Sequence, residues 1–241
     1  MQQHTVTLEG ETDWPGFRRE AGAFLAHLVP PECVSWRTRR TPANERAAEG
    51  AVPATHSDPA GAGGMNPVVP RSFMSLCETV VLHEDPNRFA LLYRLLWRLV
   101  HEPDLRHEPF DADRVRALHM AQAVRRDMQK MKSAVRFRAI DDGIAGEPLH
   151  AAWFEPAHHI VEAVAPFFVR RFTSMRWVIL TPERSMRWNG QTLEFAAGAQ
   201  REQAPRADAA ATTWLVFCRS VFGPSQRRPA TTVVMPAIAP G

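Results

Sequence analysis

At Ala134 the hydrophobic period of this chain changes from that of helices to that of strands. Upstream, Phe17, Ala21, Phe24 and Leu28 recur at helical spacing, as do Phe89, Leu92, Leu96 and Leu99. Downstream, Val135-Arg136-Phe137-Arg138-Ala139 alternates, which is the pattern of a strand with one face buried. Helices first and strands later predict an α+β fold: N-terminal helices packed on a mostly antiparallel sheet formed largely by residues 134–196.

The element boundaries follow from caps and breakers. Thr5–Leu8 and Cys33–Trp36 read as short strands, with a helix between them capped by Asp13 and stopped by Pro30-Pro31. Pro70 opens a helix through His83, and Asp85-Pro86 opens another through His101. Asp111 or Asp113 caps a long helix to about Lys132, whose inward stripe would be Val115, Leu118, Val124, Met128 and Met131. Strands follow at 135–139, 151–154, 176–180, 186–188 and 192–195, the last two joined by the Asn189-Gly190 turn. Pro156 starts a helix through about Arg170, and a last helix spans 211–222. Residues 37–66, rich in Ala, Gly, Pro and charge, read as a flexible insertion.

The 241 residues carry a formal net charge of only +3, but it is unevenly spread. Between Arg88 and Arg138 twelve Lys or Arg face six Asp or Glu, and the only two lysines, Lys130 and Lys132, lie in this stretch. On the long helix, Arg125, Gln129 and Lys132 share one face, with Arg126 and Lys130 beside it. Arg136 and Arg138 share one face of the next strand, and Arg176 opens a later one. Were these seven cations to converge, they would form a strip for a phosphate backbone; a solvated helix face is the plainer alternative. Trp153, Trp177 and Trp188 are expected in the core rather than stacked on bases.

A second constellation, Glu155, His158, His159 and Glu162, is expected at the start of one helix. A histidine between carboxylates can move protons, so Glu155, His158 and His159 are the catalytic candidates. A helix N-terminus whose Glu155 favours the dipole is the plainer reading. No metal site is expected: HxxxH and CxxC are lacking, and His158 and His159 point about 100° apart on a helix. No cofactor is called for. No glycine loop resembles a P-loop, and Ser72, Ser75 and Ser185 lack a nucleophile-elbow context. Three scattered cysteines, no signal pattern and no long apolar run suggest a cytoplasmic protein without membrane contact.

The runs Phe89–Arg98, Arg125-Arg126-Asp127-Met128, Val135–Arg138, Trp153-Phe154-Glu155-Pro156-Ala157-His158-His159, Pro166–Phe172 and Ile179-Leu180-Thr181-Pro182 together resemble the DUF4130 family. The likeness covers about residues 1–198. It implies a DNA repair or DNA metabolism protein that stands beside a radical-SAM partner or is fused ahead of a UdgX-type uracil-DNA glycosylase. Trp214–Pro224 is similar to the helix leading into that glycosylase, and the likeness decays after Ser225. The resemblance therefore implies an N-terminal domain truncated before the glycosylase, with 199–210 as linker and 211–241 as a remnant with a disordered tail. Gln129 stands where the family tends to have His, and Cys218 where the fused form has an aromatic. Three functions stay open. The first is a DNA-associated accessory module that grips the backbone through Arg125, Arg126, Lys130, Lys132, Arg136, Arg138 and Arg176. The others are an enzyme on nucleotide or nucleic acid, and an adaptor for the glycosylase or radical-SAM protein.

Overall fold

A computed structural model describes residues 3–39, 69–102, 108, 110–144, 147–206 and 208–223. Most of the expected insertion, from residue 40, and the tail after 223 lie outside the described residues. The chain divides into two compact units, residues 1–125 and 126–241, where the sequence suggests one domain to 198. Among the described residues no helix is long and apolar enough to cross a membrane.

In the first unit, β1 (His4–Leu8) and β2 (Val34–Thr38) pair in parallel around α1 (Trp14–Ala26). Asp13 caps α1 by accepting from the Gly16 N–H at 2.8 Å. The helix ends where Leu28 takes a left-handed φ of 53° and the Val29 N–H returns to the Phe24 carbonyl. Helices α2 (Arg71–Val80) and α3 (Arg88–His101), and the first turns of α4 (Ala112–Ala134), complete the unit. They close a core of their own around Phe17, Phe89, Leu92 and Tyr93. Asp111 is the residue that caps α4, accepting from the Arg114 N–H, while Asp113 is gripped by Arg94 through two bonds of 2.6 and 2.7 Å.

Two features of this unit depart from expectation. The buried apolar residues of α4 in this unit are Ala117, Met120, Ala121 and Val124, whereas Leu118 is 45% exposed. Alanines let neighbouring elements approach closely, so they mark the inward face more faithfully here than the larger Leu118 does. Arg88, unremarked in the sequence, is 1% exposed. Its guanidinium donates to the Val81, Asp85 and Glu11 carbonyls at 2.6–3.0 Å and to the Glu11 carboxylate at 2.7 Å.

The second unit is a five-stranded sheet in sequence order: β3 (Arg138–Ile140), β4 (Leu149–Trp153), β5 (Trp177–Leu180), β6 (Arg184–Trp188) and β7 (Leu193–Ala197). Every neighbouring pair is antiparallel except β4 and β5, which are parallel and joined by α5 (Val161–Arg171). Helix α6 (Ala211–Phe222) lies on the other face. Central strand β5 is buried throughout, as a strand covered on both sides must be. Val178 and Leu180 meet Trp214, Phe217 and Cys218 of α6, while Trp177 meets Phe168 of α5.

The Asn189-Gly190 turn forms as expected, with Gly190 at φ 97° and the Asn189 side chain accepting from the Gln191 and Thr192 N–H groups. Gly198 is required for a different reason. A Cβ there would fall 1.8 Å from the Pro182 carbonyl oxygen, so β7 and the turn after β5 touch backbone to backbone.

Candidate nucleic-acid interface

Helix α4 carries the lone acid of its basic run, Asp127, on the inward face, three residues after Val124 and four before Met131. Its outward cations behave differently. Arg126 and Lys130 are exposed one turn apart, and Lys132, in the last turn, sets its ammonium 5.4 Å from the centre of the Phe167 ring on α5. Three and four residues beyond Phe167, Arg170 and Arg171 are exposed at the end of α5. Arg136, exposed between α4 and β3, donates only to the nearby Ser133 and Val135 carbonyls. Among the described residues none of these six cations is paired with a carboxylate. Arg125 is also exposed but belongs to the first unit.

Two of the seven expected cations are occupied elsewhere. Strand β3 begins at Arg138, not Val135, so Arg136 lies outside it and the pair does not share a strand face. Arg138 shares a face with Ile140, the face that α6 covers, and it donates to the Ala209 carbonyl just before that helix. An open arginine face here follows only if residues 211–222 are left out of the domain. Arg176 is gripped by Asp142 at 2.5 Å and donates to the Glu147 carbonyl at 2.9 Å. Burial alone would raise the Asp142 carboxyl; bonds from Arg176 and the Ile144 N–H outweigh it and hold the group below the usual carboxylate range.

The histidine constellation is assembled differently from the sequence reading. Helix α5 starts at Val161, not Pro156, so Glu155 through Ile160 form a loop. The loop is held by Asp127, 7% exposed, whose Oδ2 accepts from the Ala157 and His158 N–H groups at 2.8 and 3.0 Å. Glu155 does not orient a histidine: its Oε1 accepts from the Trp153 indole at 2.8 Å and pairs with Arg201. His158 is buried, and His159 sets Nδ1 2.6 Å from Oε2 of Glu183, in the turn between β5 and β6. Glu162 pairs with Arg184 at 2.7 Å. Sequence reasoning missed Asp127, Glu183 and Arg201. The signal for Glu183 was a β4–α5–β5 crossover, because parallel strands bring the loops after both carboxyl ends together.

The DUF4130 family profile, described as a domain of unknown function, matches residues 86–237, well over half of the chain. The chain belongs to the DUF4130 family. No curated protein and no solved structure is significantly similar to it. The DUF4130 match takes in all of the second unit that is described, including α6. It also takes in every candidate cation, the loop from Glu155 to Ile160, and Glu162. Among the described residues of this DUF4130 chain, no three His, Cys, Asp or Glu side chains stand close enough to hold a metal ion. Burial pushes the Cys77 thiol, beside Glu78, and the Cys218 thiol up to about 12, so both stay protonated and chemically inert at neutral pH.

Proposed function

We propose that the second unit grips the phosphate backbone of a nucleic acid through Arg126, Lys130, Lys132 and Arg136 with Arg170 and Arg171. We take that nucleic acid to be DNA and the role to be an accessory one in repair or base-modification metabolism, as the resemblance read from the sequence implies. What supports the reading is one observation: Lys132 at the end of α4 reaches over Phe167 of α5, one turn before the exposed Arg170 and Arg171, and none of the six cations has a carboxylate partner among the described residues. Charge arithmetic agrees. Two helix C-termini subtract about half a charge each and Asp127 one more, so roughly four of six positive charges persist. Arg138 and Arg176 take no part.

The test is fluorescence anisotropy of labelled duplex DNA over a salt series. Four to six phosphate contacts predict a slope of log K against log[salt] of roughly −4 to −5, reduced by about one unit in Lys130→Ala or Arg136→Ala. A slope near zero, or one that neither substitution changes, overturns the reading.

A second reading, proton transfer by His159 with Glu183 orienting its ring, draws on their 2.6 Å contact and on its position beyond the carboxyl ends of β4 and β5. It predicts a turnover on a nucleotide or nucleic acid that His159→Gln lowers by about 100-fold or more while DNA affinity is retained. Unchanged turnover in that variant removes it.

A further inference from the structure

We infer that this surface prefers single-stranded DNA, with the Phe167 ring as the platform on which one unpaired base stacks; the inference rests on the nucleic-acid reading above. Phe167 is only half-buried, while its helix neighbours Val164 and Phe168, 0% and 1% exposed, do the packing of α5. Its ring is braced edge-to-face on Phe168, with centroids 5.3 Å apart and planes at 84°. A ring fixed in this way loses little rotamer freedom when a ligand arrives.

The surroundings match what a stacked nucleotide requires. Lys132 sits over the ring, and Arg170 and Arg171 follow it one turn along α5. Arg171 itself lies 5.3 Å from the centre of the neighbouring Phe172 ring. Ammonium and guanidinium groups around a partly open ring combine a phosphate contact with a base contact, which is how single strands are held without sequence preference. The Lys132 stem is flexible enough to swing its ammonium from the ring to the phosphate beside the stacked base. In a duplex both faces of each base are used by its neighbours, so the ring would have nothing to stack on.

Two substitutions on the full chain test this with fluorescein-labelled oligo(dT) and a duplex of equal length. Phe167→Leu keeps an apolar side chain against Phe168 but removes the π face. It is expected to weaken oligo(dT) binding about tenfold while leaving duplex affinity within about twofold. Phe167→Tyr, which keeps a ring, is expected to retain oligo(dT) affinity, so a loss through misfolding is told apart from a loss of stacking. Equal losses on both DNAs, no loss on either, or weaker oligo(dT) affinity in Phe167→Tyr as well overturn the inference alone. Absence of binding to both DNAs by the unaltered chain overturns the nucleic-acid reading and this inference with it.

Discussion

Replacing Arg88 with alanine is expected to destabilise the first unit by about 3–5 kcal/mol, the range for breaking a buried ion pair by removing one partner. That is a large share of the roughly 5–15 kcal/mol that holds a typical domain folded. The reason is the number of segments that converge on one guanidinium. It joins Glu11, between β1 and α1, to Val81 and Asp85 in the turn between α2 and α3, and lies 4.5 Å from the centre of the Phe89 ring. The Glu11 carboxylate also accepts from Thr38 at the end of β2, so the network reaches the far strand. Alanine would take this donor from the Val81 and Glu11 carbonyls and from the Glu11 carboxylate, while the Asp85 carbonyl keeps the backbone N–H of residue 88, and would leave a cavity where the stem had packed.

Two further variants separate these contributions. Arg88→Met refills the space but restores no bond, so it should recover only the cavity part of the loss. Glu11→Gln leaves a neutral acceptor beside the guanidinium and should cost less than Arg88→Ala, since the Glu11 side chain is 26% exposed. Urea unfolding followed by circular dichroism gives the magnitudes, and amide exchange locates them. Faster exchange in α1 and α3 is the expected signature. A loss below about 1 kcal/mol for Arg88→Ala would mean that water replaces the guanidinium.

Arg88 also shows where a sequence stops being readable. Periodicity, caps and breakers together placed a helix or strand near each one named above, because burying one face imposes a repeat of 3.6 or 2 whatever the tertiary partners are, though the alternation at 135–139 overlaps β3 at only two residues. The Asn189-Gly190 turn was legible for a local reason as well, its need for positive φ. Long-range pairings leave no such trace. Arg88 stands at the start of an amphipathic helix, where an arginine ordinarily faces water, and its carbonyl acceptors come from segments that the fold alone brings together. The same holds for His159. Its partner Glu183 is 24 residues away, reached only because β4 and β5 run parallel, whereas nearby Glu155 is committed to Trp153 and Arg201. The start of α5 differs too: Pro156 is a good first helical residue, yet residues 155–160 form a loop whose Ala157 and His158 N–H groups bond to Asp127, a partner 30 and 31 residues away. Of the seven cations read from the sequence, Arg125, Arg126 and Lys130 are exposed as an outer helix face requires, whereas Arg138 and Arg176 answer to Ala209 and Asp142.

Trp214→Ala is expected to destabilise the second unit by about 3–5 kcal/mol, the usual cost of truncating a buried tryptophan. The prediction decides whether residues 211–222 belong to the domain or trail from it. A trailing helix would carry its apolar face into solvent, and the α6 side of the sheet would be wet. Instead Trp214, Phe217 and Cys218 are about 5% exposed or less, and they cover Ile140, Ala151, Val178 and Leu180. Phe217 also meets Trp153 at 6.0 Å, and Arg187 on β6 lies 5.0 Å from the centre of the Phe222 ring. Without this cover, alternate residues of β3, β4 and β5 would face water, and β5 could not be apolar at all four positions. Trp214→Phe is the informative companion. It keeps most of the buried area and removes an indole N–H that has no acceptor among the described residues, so it should cost less than about 1.5 kcal/mol. Hydrogen exchange in β3, β4 and β5 should quicken in the alanine variant and not in the phenylalanine one. A change within about 0.5 kcal/mol for Trp214→Ala, the level of an ordinary surface substitution, would show α6 to be dispensable and return the arginine face of β3 to solvent.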